Sequence, residues 1–482
     1  MKYLKYFALF LFVGGMFTSC FDDSDDVVRV SGTTEINDFI WKGLNTFYLY
    51  KADVPDLADN RFATNQDFTN FLNASATPED MFNKLLTQET VSSGSGTVKV
   101  DQFSWIVDDY IALEQAFDGI TRNNGMEYGL VRYPNNESLV FGYVRYVLPN
   151  TDAASKGIKR GDIFSTIDGT QITDQNFSQL LAPDSYTIGL ATFDGTNVTA
   201  TGSSVALTKV QYTENPVFVS KTIDVGGSPV GYLMYNSFTA DFDAQLNAAF
   251  AKFKSDGVTD LVLDVRYNGG GSVTTAIDLS SMITGQYNGQ VFTTEQWNAD
   301  RQEQFGGTNH FDDKIRTGEA INNLNLTRVY ILTTRSSASA SELVISGLDP
   351  YINIIQVGST TRGKFQASIT LYDSDNFGRQ NADPGHTYAM QPLVLKSINS
   401  AGATDYFDGF APDIEIEEDY SNLGTLGDEN EPVLKAALDN ILGTRTSKNY
   451  NTVQLESIGN SKMFNPNYER MYHDQDTDLS IQ

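Results

Sequence analysis

Three short stretches of the 482-residue chain combine the residue types that amide hydrolysis requires. They are a glycine loop at 268–271 (NGGG), a serine-rich stretch at 336–342 (SSASASE) and a turn at 361–364 that ends in Lys364. A serine hydroxyl can attack a carbonyl carbon, an amine can take its proton, and backbone N–H groups in a glycine turn can hold an oxyanion. Together, the three stretches indicate nucleophilic catalysis.

Each stretch alone also has an ordinary structural interpretation. The glycines can form a simple turn, Lys364 can be solvated, and Ser339-x-x-Glu342 is the spelling of a capping box that starts a helix. The histidines favour an amine base, because the three in the chain lie outside these stretches and no G-x-S-x-G elbow occurs. A Ser-Lys pair is therefore a simpler hypothesis than a Ser-His-Asp triad.

The three stretches all lie beyond predicted β-strands. Runs rich in β-branched residues at 259–267, 328–334 and 353–358 predict strands, and a further strand is predicted at 364–372. Helical patterns between them predict strand–helix alternation, which implies a mostly parallel sheet with helices outside. Sites in such sheets gather beyond the carboxyl ends of the strands. We therefore expect an α/β multidomain protein whose core, at 213–445, brings the three stretches together.

Two regions precede this core and one follows it. Apolar residues such as Trp41 and Leu44 recur at helical spacing, which predicts a small helical N-terminal domain at 33–118. Residues 122–212 read as short strands separated by turns. Residues 446–482 are polar and poorly patterned, so we predict a loosely held tail.

The region 122–212 resembles a PDZ domain of the type found in bacterial proteases. The resemblance is carried by Ala153-Ala154, Gly157-Ile158, Arg160-Gly161-Asp162 and Ile167-Asp168-Gly169. It implies that the loop and strand at Tyr128, Gly129 and Leu130 grip the carboxy terminus of a peptide, which would add to the open strand edge. A tight turn without a ligand is the alternative.

Taken together, residues 122–442 resemble the tail-specific, or carboxy-terminal processing, serine peptidase family. Its motif matches residues 337–342 (SASASE), with Lys364 placed 25 residues after Ser339, and residues 264–271 (DVRYNGGG) match its glycine loop. Residues 410–413 and 427–434 resemble its closing segments. The resemblance implies a crotonase-like α/β peptidase core with Ser339 as nucleophile and Lys364 as base. It also implies an oxyanion site formed by N–H groups of Ala340 and of Gly270 or Gly271.

Two positions depart from the family pattern. Many relatives have a glutamine four residues after the lysine to orient it, and this chain has Ser368 there. Gln366 lies on the same strand face, since two-residue steps return to one side, and either residue is a candidate orienter. Pro350 stands where relatives commonly have an aspartate, so no role is transferred to it.

A lysine base also sets a physical requirement. The ordinary lysine pKa is ~10.4, and burial lowers it by disfavouring the ammonium. Lys364, beside Phe365 and between hydrophobic strands, fits that requirement. The leading interpretation is a serine endopeptidase, and a catalytically silent peptide-binding lipoprotein is the alternative from another class. An esterase or amidase on the same core is a third.

The start of the chain predicts export. Lys2 and Lys5 precede a short apolar run at 6–17 that leads to Cys20, as in a secretory signal. The ending resembles a bacterial lipoprotein signal, which implies lipidation of Cys20, whereas ordinary cleavage would leave an idle thiol. Residues 21–32 read as an acidic tether, and its run FDDSDD resembles the export tag of surface lipoproteins in the Bacteroidetes. We therefore expect an outer-membrane lipoprotein on the periplasmic or cell-surface face.

Composition limits the possible partners. The chain has 61 acidic and 33 basic residues and a net charge of −28, which argues against nucleic-acid binding. A single cysteine excludes an intrachain disulfide framework. No metal-ligand cluster or cofactor motif is visible in the sequence. The expected partners are polypeptide substrates, bound through their carboxy termini, and the membrane, bound through the lipid anchor. The oligomeric state stays open.

Overall fold

The computed structural model describes residues 30–94, 96–444, 455–473 and 479. The predicted signal sequence, Cys20 and the acidic run after it lie outside the described residues. Among the residues that the structure describes, none of the helices has the length and apolar character needed to cross a bilayer.

The N-terminal region is built around one amphipathic helix. Ile36, Phe39, Ile40, Leu44 and Phe47 are buried along one face of that helix, so helical spacing turns them into a single apolar stripe. The region also contains three short strands that the sequence pattern did not predict. Its elements are α1 (Thr33–Phe47), α2 (Asn65–Leu72), α3 (Pro78–Lys84), β1 (Thr90–Ser93), β2 (Gly96–Lys99), β3 (Trp105–Val107) and α4 (Tyr110–Phe117), with short 3-10 turns at Lys51–Asp53 and Pro55–Leu57.

A unit built on an antiparallel sheet, here called the inserted sheet, lies between the N-terminal region and the core. The first and last strands of the unit, β4 and β11, form a separate two-stranded sheet, so the chain enters and leaves the unit side by side. The main sheet has the order β10-β9-β7-β6-β5, and β8 pairs with β7. The elements are β4 (Ile120–Asn123), β5 (Met126–Tyr133), β6 (Asn136–Val147), α5 (Asp152–Ser155), β7 (Ile163–Ile167), β8 (Thr170–Gln171), α6 (Phe177–Leu181), β9 (Ser185–Phe193), β10 (Val198–Thr208) and β11 (Val210–Thr213).

The core alternates strands and helices. Its elements are β12 (Val217–Val225), β13 (Ser228–Tyr235), a 3-10 turn (Ala240–Phe242), α7 (Asp243–Ser255), β14 (Asp260–Asp264), β15 (Gly271–Ser272), α8 (Val273–Thr284), β16 (Val291–Trp297), α9 (Gln302–Phe305), β17 (Thr308–His310), β18 (Arg328–Thr333), α10 (Ala340–Leu348), β19 (Asn353–Gly358), β20 (Gln366–Ser368), β21 (Leu371–Tyr372), β22 (Ala389–Gln391), β23 (Leu393–Asn399), β24 (Ile414–Glu415) and α11 (Pro432–Ile441).

The central sheet of the core has the order β12-β13-β14-β18-β19-β24. Strands β13, β14, β18, β19 and β24 run parallel, and only β12 pairs antiparallel, at one edge. Every residue of β14 is buried, as expected for a strand covered on both faces. The mixed α/β, multidomain architecture expected from the sequence is confirmed.

The residues after 454 differ from the expected loose tail. Residues 457–460 form β25 (Ser457–Asn460) on the outer edge of β5, followed by a 3-10 turn at Ser461–Phe464. Residues 471–472 form β26 (Met471–Tyr472), which lies between β15 and β20 in a second core sheet. The polar composition of this region predicted a loose tail. The residues form strands because β25 and β26 pair with strands from distant parts of the chain.

A buried ionic network docks the inserted sheet on the core. Arg160 donates to the Tyr267 hydroxyl at 2.8 Å and to Glu418 at 3.0 Å. The fully buried Arg266 pairs with Asp264, Glu418 and Glu431. Buried charges are tolerated when they are paired and hydrogen-bonded in this way. The network therefore fixes the backbone just before the glycine loop at 268–271.

Candidate active site

The three stretches singled out from the sequence meet at one edge of the central sheet. Strands β14, β18 and β19 are adjacent and parallel, so their carboxyl ends point the same way. The loop at 265–270 follows β14, the loop at 334–339 follows β18, and the loop at 359–365 follows β19. The convergence predicted from strand order therefore brings Ser339, Lys364 and the glycine loop together.

Ser339 stands at the start of α10 in an unusual backbone conformation. Its φ of 65° places a non-glycine residue in the left-handed region, which costs energy and is common at functional sites. The residue is 0% exposed. Among the described residues, no hydrogen-bond partner contacts its Oγ. The hydroxyl therefore lies at a helix N-terminus, and no hydrogen bond joins it to Lys364 in this arrangement.

Lys364 is buried in a pocket made largely by other regions of the chain. It is also 0% exposed, and its Nζ lies 5.0 Å from the centre of the Phe103 ring. Nζ donates to the backbone oxygen of Glu469 at 3.1 Å. Burial lowers the pKa of Lys364 well below its ordinary value, and the nearby positive charge of Arg470 lowers it further. The shift is in the direction that a lysine acting as a base requires.

Glu342 links the backbone of Ser339 to that of Lys364. Its Oε2 accepts the backbone N–H of Ser339 and that of Lys364, each at 2.8 Å, so the two nitrogens lie within twice that distance of each other. Its Oε1 accepts the N–H of Gly363 and the hydroxyl of Thr361, each at 2.6 Å. Burial raises the pKa of Glu342, and the four donors oppose that rise. Three of them are N–H groups that can only donate, which fits the carboxylate form.

The glycine loop passes directly against Ser339. Gly270 and Gly271 have φ values of 109° and 136°, a region that favours glycine. A Cβ on Gly270 would lie 2.8 Å from Ser339 Oγ, and one on Gly271 would lie 2.3 Å from a backbone oxygen. The N–H of Gly270 donates to the Asn268 side chain at 2.9 Å. Gly271 is paired with Met471 in the ladder between β15 and β26, so the oxyanion role of Gly270 or Gly271 stays a prediction.

The other predicted oxyanion donor is Ala340, the first residue of α10. N–H groups in the first turn of a helix have no carbonyl partner within the helix and point toward its positive end. The N–H of Ala340 follows directly from Ser339 in the chain, so it is available next to the nucleophile. Its role stays a prediction.

Neither candidate orienter contacts the lysine amine. The Gln366 side-chain nitrogen donates to the Tyr50 hydroxyl at 2.9 Å and to the Val100 oxygen at 3.2 Å. The Ser368 hydroxyl donates to the Met471 oxygen at 3.2 Å. Within the described residues, the one hydrogen bond found for Lys364 Nζ is the bond to Glu469. The orienting role predicted for Gln366 thus has no contact to support it in this arrangement.

The predicted peptide-binding residues form the edge of β5, and that edge is not open. Gly129 lies opposite Asn460 and Leu130 lies opposite Gly459 in the antiparallel ladder with β25. The backbone N–H of Tyr128 donates to Ser461 Oγ at 3.1 Å. The three residues are therefore placed as a strand edge that binds an extended chain, and the chain bound there is the protein's own.

Sequence reasoning missed several residues around the base. Phe103 and Tyr50 belong to the N-terminal region, and Glu469 and Arg470 belong to the predicted tail. Arg470 donates to the Phe103 oxygen at 2.9 Å, and its guanidinium lies over the Trp105 ring. No local motif marks these residues, because each acts through its position in the fold. Glu342 alone stands in a recognisable motif, whose capping-box spelling predicts a simple capping role.

The fold also gathers a small group of acidic and histidine side chains away from Ser339. Ligand atoms of Asp373, Asp383 and His386 lie within 4.8 Å of one another. His386 contacts Asp373 at 3.0 Å, and Asp383 accepts a hydrogen bond from Ser31 at 2.6 Å. No sequence motif predicts this group, whose members lie between β21 and β22.

Comparison with known proteins identifies a peptidase family whose matched region contains this site. The model of peptidase family S41 matches residues 229–416, and the model of the peptidase S41 N-terminal domain matches residues 35–105. The chain belongs to peptidase family S41. The S41 match spans β13 to β24 and so includes Ser339, Glu342 and Lys364.

The relatives of this S41 chain include processing peptidases. It is 23% identical over 281 residues to the chloroplastic C-terminal processing peptidase of Tetradesmus obliquus, covering 56% of this chain and 55% of that protein. It is 24% identical to the carboxyl-terminal-processing protease of Picosynechococcus sp., covering 61% and 64%. The match thus spans about six tenths of these relatives' length.

A solved structure extends the comparison to most of the fold. The crystal structure of a candidate S41 protease from Bacteroides fragilis NCTC 9343 superposes with a TM-score of 0.66 at 26% identity. The superposition covers 85% of this chain and 98% of that one. The inserted sheet and the N-terminal region therefore belong to an arrangement shared with another S41 protein.

Replacing Glu342 tests how much the site depends on its carboxylate. In Glu342→Gln the amide NH₂ must face N–H groups in either orientation, so at least one buried N–H loses its acceptor. We expect the free energy of unfolding to fall by about 1–3 kcal/mol, as measured by urea denaturation. The exposed Glu303→Gln is the matched control and should leave stability within experimental error. Equal stability of both variants would show that the carboxylate does not hold the site together.

Proposed function

We propose that this S41 chain is a serine endopeptidase that hydrolyses exported polypeptides through Ser339 and Lys364. The observation that carries the proposal is the single carboxylate oxygen of Glu342, which binds the backbone N–H of both residues. A buried lysine with a lowered pKa, whose backbone is held beside that of a serine at a helix N-terminus, is what a Ser-Lys mechanism needs.

The reaction follows from these positions. Neutral Lys364 takes the proton of Ser339 as Oγ bonds to the substrate carbonyl carbon, and the N–H groups of Ala340 and of Gly270 or Gly271 hold the resulting oxyanion. When the tetrahedral intermediate collapses, the C–N bond breaks and the ammonium of Lys364 gives its proton to the leaving amine. Water then attacks the ester with Lys364 again as base, which releases the new carboxylate and restores Ser339. Losing one oxyanion donor typically costs ~3–4 kcal/mol of barrier.

We further propose that the inserted sheet is a PDZ-type domain on a crotonase-like core, and that it recognises substrate carboxy termini. The edge at Tyr128, Gly129 and Leu130 supports this role, because an extended segment already adds to it as an antiparallel strand. The names of the two processing peptidases point to the same substrate feature.

The export proposal rests on sequence motifs alone. The basic start, the apolar run at 6–17 and Cys20 support a lipid-anchored protein of the outer membrane, with residues 21–32 as its tether. The membrane would then be bound through the lipid on Cys20, on the periplasmic or the cell-surface face.

The silent peptide-binding alternative is less well supported. A protein that only holds peptides has no use for a fully buried lysine amine, whose desolvation costs free energy. Glu342 also holds Lys364 beside Ser339 through two separate backbone contacts. Both features are explained by catalysis.

Alanine substitutions test the catalytic pair. Ser339→Ala and Lys364→Ala should each lower kcat by at least about a thousandfold on unfolded protein, because nucleophile or base is lost. Ser341→Ala is the control: its buried hydroxyl donates to the Asn268 oxygen at 3.0 Å, so it should lose some stability and keep most activity. Equal losses at Ser339 and Ser341 would mean that Ser339 is not the nucleophile.

The pH dependence tests the state of the amine. Lys364 must be neutral to act, so kcat/KM should rise with pH through its lowered pKa and reach a plateau well below the ordinary lysine value of ~10.4. Lys364→Arg keeps the charge, but its guanidinium stays protonated, so this variant should be inactive at every pH. A wild-type profile still rising at the ordinary lysine pKa would contradict a buried base.

A further inference from the structure

The stretch of chain from residue 455 to residue 473, here called the 455–473 segment, lies across both places where a substrate is needed. We infer that this segment is an intramolecular ligand of the peptidase, which occupies the substrate path and has to leave before a polypeptide can reach Ser339. The inference rests on the proposed function and concerns the regulation of that same site.

The first part of the segment covers the proposed peptide-binding edge. Residues 457–460 pair with β5 as β25, opposite Gly129, Leu130 and Val131. Ser461 continues the contact by accepting the N–H of Tyr128 at 3.1 Å. A strand edge offers one row of N–H and C=O groups, so it can pair with only one further strand. A substrate cannot add to β5 while β25 is present.

The second part covers the catalytic residues. A Cβ on Gly270 would lie 2.8 Å from Ser339 Oγ and 2.9 Å from the backbone oxygen of Arg470, so that oxygen and the nucleophile share one small space. The neighbouring oxygen of Glu469 binds Lys364 Nζ at 3.1 Å. With Ser339 and Lys364 both 0% exposed, no substrate carbonyl can approach the hydroxyl.

The contacts differ from those of a substrate about to be cleaved. In a productive complex the carbonyl oxygen is held by the oxyanion N–H groups, and the base contacts the nucleophile. Here a carbonyl of the segment binds the base instead, and Ser339 Oγ has no partner among the described residues. The segment therefore blocks proton transfer as well as access, which is the behaviour of an inhibitor.

The two parts of the segment are held unequally. Around residues 470–472 the contacts are extensive: Met471 is fully buried, and the Tyr472 ring lies 4.1 Å from that of Phe117. Residues 457–460 form an outer strand, where Ile458 is only partly buried against the apolar core of the inserted sheet. A peptide that competes for β5 would meet the weaker part first, so we expect release to begin there.

Weakening the outer part tests the inference. In the chain from residue 21 to 482, Ile458→Asp should raise kcat/KM on unfolded protein roughly tenfold, the equilibrium effect of losing one partly buried apolar side chain. The exposed Ile111→Asp is the matched control and should leave kcat/KM unchanged. Ser461→Ala, which removes the hydroxyl contacts to Tyr128 and to the buried Glu127 carboxylate but no apolar packing, should also raise kcat/KM. Unchanged kcat/KM in both segment variants would overturn the inference.

A disulfide that holds the segment on β5 tests the inference in the opposite direction, because it should prevent release of the segment. The chain from residue 21 contains no cysteine, because its single cysteine is Cys20. Val131 and Ser457 are opposed in the β5–β25 ladder, at a spacing that a disulfide can bridge. The Val131→Cys/Ser457→Cys protein should hydrolyse unfolded protein at least about tenfold more slowly when oxidised than when reduced. Equal rates after complete oxidation would overturn the inference.

Labelling of Ser339 separates this inference from the proposed function. A small fluorophosphonate needs access to the hydroxyl but no peptide recognition, so the oxidised tethered protein should be labelled more slowly than the reduced one. Suppose that labelling differs between the oxidised and reduced proteins but that no form of the protein hydrolyses unfolded protein. That result would contradict the proposed function and leave the inference about the segment standing. Equal labelling of the two states would overturn the occlusion of Ser339 by the segment.

Discussion

One buried carboxylate determines the geometry of this site. Glu342 lies on the first turn of α10, yet it binds the backbone on both sides of the gap between the loops that follow β18 and β19. Serine and lysine side chains are flexible, so their meeting depends on where their backbones are fixed. Because one oxygen of Glu342 serves both backbones, a shift of either loop breaks a charge-assisted hydrogen bond in a low-dielectric interior. The proposed catalytic pair is thus placed by a group to which the proposed mechanism assigns no step.

Burial gives the site its reactivity as well as its closure. The pocket that keeps water from Lys364 comes from three distant parts of the chain: the core, the N-terminal region through Phe103, and the 455–473 segment through Glu469 and Arg470. Desolvation lowers the pKa of the amine, and the same walls leave the hydroxyl of Ser339 inaccessible. A substrate has to reach the site while bulk water stays excluded from the lysine amine, because hydration would raise its pKa again. If the 455–473 segment leaves as inferred, Phe103 of the N-terminal region is the wall that remains beside the amine.

Much of the core could be predicted from the sequence. Strands such as Asn353–Gly358 and Arg328–Thr333 appear as continuous β-branched runs, and their order dictates which loops converge. The strands β25 and β26 could not be predicted, because polar residues such as Ser457 and Asn460 become strand only by adding to an existing edge. The contact between Lys364 and Glu469 joins positions far apart in the chain and uses a backbone oxygen. A backbone group leaves no mark on residue type, so no reading of side chains could find it.

The pairing of β4 with β11 has an evolutionary consequence. The two points where the inserted sheet joins the rest of the chain lie side by side, so removing or exchanging the sheet would leave neighbouring ends that a short turn can join. A unit attached in this manner can be exchanged as a whole without a change in the rest of the fold. Recognition could then diversify from one lineage to another while the machinery that cuts the peptide bond is inherited intact.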